Sequence, residues 1–433
     1  MNHLYHLPTV YDIPLWFGNR VGNAQEIWQT LALPKIERAK FHRWPLFDYP
    51  ILPELASQDP LTYGLQAALK ADLEDKSAHL THAGLLTLIQ STASAYLDSG
   101  LIVMDLFEAL NEYPDLVQPY LGSVIKDDQD KIVAYNLAGL NGGIFIYVPK
   151  NLHVSLPIEV SLLVDSRQEM AANKRILIVC EENSQVDYLE RLSSSGDQAA
   201  SMTLVVEVVL KAGARLKYMA IDHLGDKIHA YIKRYAKTDR DSHIDWAIGV
   251  LNQGNAILDV DTYLDGNGSE AQVAIVGISS GKQTQVIDSK VVNRGHHTIG
   301  NIFQHGVILD RSVLTFNGIG LIENGAKGAD AQQESRVLML SEKARGDANP
   351  ILLIEEFEVT AGHAASIGQV DQEQLYYLMS RGLPKKVAEY LVIRGFLGPV
   401  ILSMPSDRVR QELLNVMDDK LASLSEGPAG AGQ

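Results

Sequence analysis

Small turn residues recur at a nearly constant spacing through the middle of this 433-residue chain. They stand at Gly254, Gly268, Gly281 and Gly295, which are 14, 13 and 14 residues apart, and then at Ser312 and Gly325. Short β-branched segments typical of strands, such as AILDVDTYL and AQVAIVGIS, run between them. A turn at a fixed period predicts a solenoid, in which each coil stacks on its neighbours and buries a shared core. A β-helix fits best, and an immunoglobulin-like sandwich is the alternative that the period alone leaves open.

Segments with helical spacing flank this strand-rich region. Before it, apolar residues including Leu85, Leu88 and Ile89 recur at helical intervals. After it, Asp371 with Gln374 resembles a capping box at a helix start, and Gly382 is suited to end that helix. The sequence predicts a mainly β fold with flanking helices, divided into a mostly helical domain at 1–140, a β-helix core at 141–368, a helical domain at 369–425 and a disordered tail at 426–433.

The charge of the chain excludes some classes of partner. Acidic residues outnumber basic ones by 53 to 37, so the formal charge is −16. A field of that sign repels phosphate backbones and anionic lipid headgroups, so we expect neither nucleic acid nor a membrane as a partner. The first residues, MNHLYHLPTVYDIP, lack the basic start and apolar core of a secretion signal, and no run of ~18 apolar residues follows. We therefore expect a cytoplasmic protein.

Carboxylates are the first candidates for catalysis. Asp259 and Asp261 alternate with Val260 and would share one strand face, while Asp265 and Asp288 lie in similar stretches. Carbohydrate-active β-helix enzymes use carboxylates on an exposed face, so such an enzyme is one functional alternative. Protection of solvated strand edges is the simpler interpretation. Nucleotide hydrolysis has no support, because the chain has no G-x-x-x-x-G-K-[ST] loop.

Candidate metal ligands are few. Cys180 is the only cysteine and ends the apolar run RILIVC, where a thiol is usually a small buried hydrophobic group. His296 and His297 are adjacent, so on a strand they would point to opposite faces, and turn or core hydrogen bonding is the preferred interpretation. His363 differs, because Gly362 and two following alanines leave its ring unshielded.

Several motifs resemble one protein family. The stretch TAGHAASIGQVDQEQLYYLMSRG at 360–382 resembles the signature of the SufB/SufD family, with a histidine, a D-x-x-Q-L-F/Y-Y-L helix start and an SRG stop. NGGIFIYVPKNLHVSLPIEV at 141–160 resembles the entry into that family's sheet domain, and residues 336–368 keep its frame before the histidine. Distant blocks in the right order are more specific than one motif. The family builds iron–sulfur clusters, and its fold is a right-handed parallel β-helix between helical domains.

The resemblance implies a subunit rather than an enzyme. A chain with one thiol cannot hold an iron–sulfur cluster through cysteines alone, which favours the SufD-like branch. Its implied role is a non-catalytic scaffold that pairs with a SufB-like homologue through its last coils and docks a SufC-like ABC ATPase through its C-terminal helices. Homodimer formation by the isolated chain stays open, and a self-associating SufB-like scaffold is the nearer alternative.

The resemblance also implies a site. His363 would be a metal ligand shared with the partner chain, where iron or a nascent cluster would bind at the interface. No cofactor is expected on this chain alone, and flavin binding stays open. The implied partner interface consists of His363, Gln374, Leu375, Tyr376, Tyr377, Ser380, Arg381 and Gly382.

Overall fold

The computed structural model describes residues 12–51, 76–403 and 407–423. The helices are α1 Leu15–Ile27, α2 Leu106–Glu112, α3 Pro114–Val117, α4 Lys131–Ala138, α5 Gln372–Ser380, α6 Lys385–Ser403 and α7 Asp407–Ser423. The first strands are β1 Ala78–Ala83, β2 Leu86–Thr92, β3 Ile102–Asp105, β4 Gly143–Val148, β5 Ile158–Asp165, β6 Met170–Cys180, β7 Gln185–Ser195, β8 Ala200–Leu210, β9 Arg215–His223 and β10 Ile228–Thr238. The remaining strands are β11 His243–Val250, β12 Ala256–Leu264, β13 Glu270–Ser279, β14 Thr284–Asn293, β15 Ile299–Ile308, β16 Val313–Ile322, β17 Asp330–Met339, β18 Arg345–Ile354 and β19 Thr360–Gln369.

The strands from β4 to β19 form a parallel β-solenoid of two facing sheets. Consecutive strands alternate between the sheets: the odd-numbered strands from β5 onward lie in sheet A and the even-numbered strands from β4 in sheet B. Each strand pairs in parallel with the strand two places on, as in Arg215 with His243 and Glu270 with Ile299. These neighbours are 28 and 29 residues apart, so the predicted spacing of about 14 marks half a coil. The β-helix prediction is confirmed, and parallel pairing rules out the sandwich, whose strands are antiparallel.

Left-handed residues at one turn of each coil form a hydrogen-bonded column. The backbone φ angles of Asn183, Asp241 and His297 are 54°, 55° and 54°, and glycines hold the same turn in the coils between them. The N–H of Asn183 donates to Ala212 O at 3.0 Å, and that of His297 donates to Lys327 O at 2.8 Å. Each turn therefore bonds to the turn of the next coil. His296 and His297 lie in this turn and not on a strand.

The periodic glycines are required for two different reasons. A Cβ on Gly254 would lie 2.1 Å from Ile228 O of the preceding coil, so the turns stack too closely for a side chain. Gly281 has φ +63° and open space around it, so only its backbone conformation favours glycine.

Alternate side chains of both sheets fill a largely apolar lumen. One lumen column of sheet A carries Tyr188, Tyr218 and Trp246 on neighbouring coils, with ring centroids 4.8 and 4.6 Å apart. Each such ring buries roughly 150–250 Å² and adds stacking geometry to the hydrophobic effect. Arg234 of sheet B reaches across the lumen to carboxylate oxygens of Glu190 and Asp222, both at 2.6 Å. A buried charge of this kind is tolerated because it is paired and hydrogen-bonded.

Helices and loops cover the outer faces of both sheets. The C-terminal helices pack their apolar residues, among them Leu375, Leu397 and Met417, on the outer face of sheet A. α5 begins as predicted, because the Asp371 side chain accepts a hydrogen bond from Glu373 N, and Gly382 follows its end with φ +91°. The predicted tail at 426–433 lies outside the described residues, as do residues 424 and 425 of the predicted C-terminal domain.

The prediction of helix at Leu85–Ile89 was wrong. Residues 86–92 form β2, which pairs antiparallel with β1 and ends sheet A at its N-terminal side. The stretch LTLIQST contains three β-branched residues, Thr87, Ile89 and Thr92, and pairing with β1 overrides its helical spacing.

An N-terminal strap, residues 33–47, crosses the outer face of sheet B along the solenoid axis. Phe41 packs on Tyr231 of β10, with ring centroids 5.5 Å apart. Asn317 of β16 donates to Glu37 O at 3.1 Å, and Arg38 pairs with Asp347 of β18 at 2.8 Å. The strap therefore contacts strands from several coils.

A cluster of ionised groups lies on this same outer face of sheet B. Lys233 bonds to Asp259 at 2.8 Å and to Asp130, at the start of α4, at 3.0 Å. Lys290 bonds to Asp261 at 2.6 Å. Asp259 and Asp261 do share one strand face, as predicted, but they are 2% exposed, so the interpretation as solvated edge residues was wrong. The covering strap and α4 bury them.

We expect the stacked turns to respond unequally to added methyl groups. Gly281→Ala costs only the left-handed backbone conformation, about 1 kcal/mol. Gly254→Ala forces two backbones apart and costs roughly 3 kcal/mol. Urea titration of each variant gives the free energies of unfolding. Equal losses would contradict the close stacking of turns.

We also expect Asp288 to make stability fall with rising pH. Burial, and then the neighbouring Asp259 carboxylate, raise the pKa of Asp288 to about 7, whereas an unfolded chain ionises near pH 4. The folded state therefore holds an extra proton between these values, and the stability that this proton confers is lost as pH rises from about 4 through 7.

Asp288→Asn removes this titration and keeps an oxygen that can accept from Asn317. We expect the free energy of unfolding, measured at pH 5, 6, 7 and 8, to decline less steeply in this variant than in the wild type. Below pH 7 the two slopes should differ by up to about 1.4 kcal/mol per pH unit. Asp265→Asn, at a partly exposed carboxylate paired with Arg294, is the control and should keep the wild-type slope. Parallel curves for wild type and Asp288→Asn would contradict the assignment.

Candidate functional site

The C-terminal end of the solenoid presents two strand edges. β19 is the last strand of sheet A, β18 is the last of sheet B, and neither has a further strand neighbour in the described parts of the chain. Their outward backbone N–H and C=O groups are therefore available to another strand, and proteins usually cover or pair such edges.

His363 lies on β19 and faces the same way as the lumen residues. It is the register neighbour of Gln333 on β17, and it ends the column that contains the stacked aromatic rings. Because β19 belongs to the last half-coil, the His363 side chain is exposed. No described residue forms a hydrogen bond or ion pair with its ring. A neutral imidazole in this position can bind a metal ion through one nitrogen.

The residues around His363 are small and exposed, as the sequence indicated. Gly362, Ala364 and Ala365 flank it on β19, and Ala364 and Ala365 are exposed. A second backbone can approach this strand closely.

The remaining predicted interface residues lie on or just after α5. Tyr376 and Tyr377 are 74% and 61% exposed, and four others are also exposed: Gln374, Ser380, Arg381 and Gly382. Leu375 differs, because it is 3% exposed and packs in the core between α5 and sheet A. Its side chain is therefore not available to a partner in this structure. β19 leads into α5 through two residues, but no side-chain bond joins His363 to the helix.

An apolar rim that was not predicted from the sequence lies at this end of the solenoid. Phe357 is 97% exposed at the turn between β18 and β19, and three other exposed apolar side chains lie nearby on these strands: Leu353, Ile354 and Ile367. Glu356 accepts the N–H groups of Phe357 and Gly325, which lowers the pKa of the Glu356 carboxyl and orders the turn. The sequence signal that could have indicated this rim was a single aromatic residue among glutamates, in the stretch EEFE at 355–358.

The C-terminal helices also carry exposed apolar residues beside a groove. A cavity of about 600 Å³ lies between α6, α7 and the solenoid turns, and Leu309, Leu340 and Val387 line it. A second groove of about 510 Å³ runs beside α5, where Gln374 and Tyr377 line it. Val387 and Leu391 of α6 are 41% and 43% exposed.

His305 fastens α6 to sheet A. Its Nε2 lies 2.9 Å from Glu334 Oε1, and its Nδ1 lies 3.1 Å from Phe396 O. Both neighbours are acceptors, so both contacts are hydrogen bonds only when both ring nitrogens carry protons. Burial alone would raise the pKa of the Glu334 carboxyl, but hydrogen bonds from His305 and Arg336 outweigh burial and lower this pKa.

The residues considered for other chemistry are enclosed. Cys180 packs in the lumen as an apolar group, and this burial raises the pKa of its thiol to about 12. The carboxylates Asp259, Asp261 and Asp288 are buried, so they do not form the exposed catalytic face that the carbohydrate-enzyme alternative requires.

Within the described residues, no three or more His, Cys, Asp or Glu side chains are grouped to hold a metal ion. None of the described helices is both long enough and apolar enough to cross a membrane.

Comparison with known proteins gives two family matches that together cover most of the chain. The model described as "SUF system FeS cluster assembly, SufBD core domain" matches residues 162–396, and "SufBD protein N-terminal region" matches residues 77–160.

Individual relatives agree with these matches. The chain is 39% identical over 415 residues to the "Iron-sulfur cluster assembly protein SufD" of Bacillus subtilis (strain 168), which covers 94% of each chain. It is also 26% identical over 311 residues to SufBD family proteins of Staphylococcus saprophyticus and Staphylococcus epidermidis, covering 72% of this chain and 67% of each relative.

Proposed function

Because this chain belongs to the SufB/SufD family and is a SufD-like iron–sulfur cluster assembly protein, we propose that it is the non-catalytic scaffold subunit of a cytoplasmic SufBCD-type complex. In this proposal it pairs with a SufB-like homologue at the C-terminal end of the solenoid. A SufC-like ABC ATPase binds its C-terminal helices. The observation that carries the proposal is the exposed His363 on the terminal strand of an otherwise closed solenoid.

Edge pairing with a homologue accounts for the terminal strands. A homologous solenoid offers the same kind of unpaired edge, so joining the two satisfies backbone groups on both. The apolar rim around Phe357 and Ile367 supplies area to bury, and aromatic anchors contribute strongly at interfaces. The small residues beside His363 allow the partner's backbone to come close.

Iron or a nascent cluster is the cargo of this site in our proposal. One imidazole is too few ligands for iron, so the homologue supplies the others as thiolate or carboxylate groups. His363 would contribute a single nitrogen across the interface. A divided ligand set forms only when both subunits are present, which would restrict cluster assembly to the complete complex.

The ATPase contact is assigned to the exposed faces of α5 and α6. Tyr376 and Tyr377 project from α5, while Val387 and Leu391 project from α6. α6 is fastened to sheet A through His305, so a force applied to the helices is passed to the solenoid. Movement of the ATPase could then change the geometry at the terminal strands.

Replacing His363 tests the proposed ligand. His363→Ala removes an exposed side chain without described hydrogen bonds, so the isolated chain should keep its wild-type melting temperature. Cluster yield in the complex reconstituted with the SufB-like homologue and the ATPase should fall at least tenfold, measured as iron and acid-labile sulfide.

His296→Ala is the matched control, because His296 is also exposed but lies in the turn before β15. It should leave cluster yield unchanged. A wild-type yield from His363→Ala would remove this residue from the site.

Replacing the two tyrosines of α5 tests the ATPase contact. Tyr376→Ala with Tyr377→Ala removes two large exposed rings, and we expect the dissociation constant for the ATPase to rise at least tenfold in calorimetric titration. Tyr113→Ala, at a 37% exposed tyrosine in the N-terminal region, should bind as the wild type does.

Unchanged ATPase affinity in the double variant would move the contact away from α5. Light scattering of the isolated chain and of its mixture with the homologue separates pairing from self-association. A homodimer that persists in the mixture would favour the self-associating alternative.

A further inference from the structure

The lumen becomes polar in the coils nearest His363. Gln304 is fully buried, donates to Ser289 Oγ at 3.0 Å and accepts from Ser335 Oγ at 2.9 Å. Gln333, one coil beyond Gln304's strand, is 4% exposed. The C-terminal coils, which carry the candidate site, therefore contain amide and hydroxyl groups in their lumen.

Gln333 is the residue of this group that has an unused acceptor. Its Nε2 donates to Ile351 O across the lumen at 3.1 Å. Its Oε1 is buried and accepts no hydrogen bond from any described residue. Leaving such an oxygen unpaired costs free energy, so a native structure usually gives it a partner.

The position of Gln333 is unusual within its own column. The preceding members of that column, Val273 and Ile302, are apolar, and the next member is His363. An apolar side chain would continue the packing, whereas an amide does not. Gly320 makes room for the amide, because a Cβ there would lie 2.5 Å from Gln333 Nε2.

We infer that Gln333 is a positioning residue for His363, accepting a hydrogen bond from one ring nitrogen so that the other presents its lone pair to the metal. This inference rests on the proposed function. The two residues are direct neighbours in a parallel register, about 4.8 Å apart along the sheet, and face the same way. His363 is exposed and free to turn its ring toward the amide oxygen. Groups that bond the second nitrogen of a metal-binding histidine fix its tautomer and orientation.

Two substitutions separate positioning from packing. Both substitutions remove the Nε2 donor to Ile351 O, so they differ only in what replaces the amide oxygen. Gln333→Met keeps the size of the side chain and removes the acceptor, whereas Gln333→Glu keeps an acceptor and adds a charge. If the residue positions the imidazole, Met weakens ferrous-iron binding about 10- to 100-fold and Glu stays within about threefold of the wild type. If Gln333 only fills the lumen, Gln333→Met binds ferrous iron as the wild type does and Gln333→Glu binds it more weakly, so the order of the two affinities reverses.

The measurement is an anaerobic titration of Fe²⁺ into the complex of this chain with its SufB-like homologue and the ATPase. Ring ¹⁵N shifts of His363 in the iron-free complex give a second readout, which Gln333→Met should change. Gln332→Met is the matched control, since Gln332 is the adjacent glutamine on the opposite face of β17, and it should alter neither result.

Each outcome decides a different claim. The inference is overturned if iron affinity is kept in Gln333→Met and lost in Gln333→Glu. It is also overturned if the ring ¹⁵N shifts of His363 do not respond to Gln333→Met. The proposed function fails separately, if His363→Ala binds iron and assembles clusters as the wild type does. Thermal unfolding of every variant shows that it is folded, and the Met variant alone suffices if Glu destabilises the chain.

Discussion

Hydrogen bonding between stacked turns is the constraint on which the rest of the molecule depends. Each coil places one residue in the left-handed region and donates its N–H to the turn of the next coil, so every coil is built on its neighbour's backbone. The sheets, the lumen columns and the covering helices follow from that repeat. A structure made in this way has no natural end, and its last strand keeps the bonding capacity of all the earlier ones. In this chain, the end carries an exposed imidazole and a rim of apolar side chains.

The lumen changes character along its length, and the change has a physical meaning. Aromatic rings stack in the middle coils, where close packing contributes to stability. Toward the C-terminal end, amides and hydroxyls such as those of Gln304 and Ser335 lie in the lumen, and Gln333 stands in the same column as the rings. Polar groups inside a solenoid are costly unless they are bonded, and most of these are, as Gln304 shows. Their placement beneath His363 links the interior of the fold to the surface that we assign to cluster assembly.

The sequence predicts the architecture better than the details of the site. A period of about 14 residues predicts a solenoid, and the motifs around His363 and residues 141–160 identify the family. The left-handed column was not visible, because Asn183, Asp241 and His297 occupy the turn position as well as glycine does. Burial of Asp259 and Asp261 depends on residues more than 100 positions away in the strap and α4, and no local pattern reports such a contact. The burial of Leu375 was not predicted for a similar reason. One face of its helix packs in the core, and the sequence motif does not indicate which face that is.

The N-terminal strap gives this solenoid a property that its repeats alone would not provide. A stack of coils held only by nearest neighbours can fray from either end, one unit at a time. Here a short segment is tied to Tyr231 in the middle of the stack and to Asp347 in its last full coil, so opening one of these units strains its attachment to the other. The strap works as an axial brace, so we expect the repeats between these two attachments to melt together and the last full coil to stay at a fixed height on the stack.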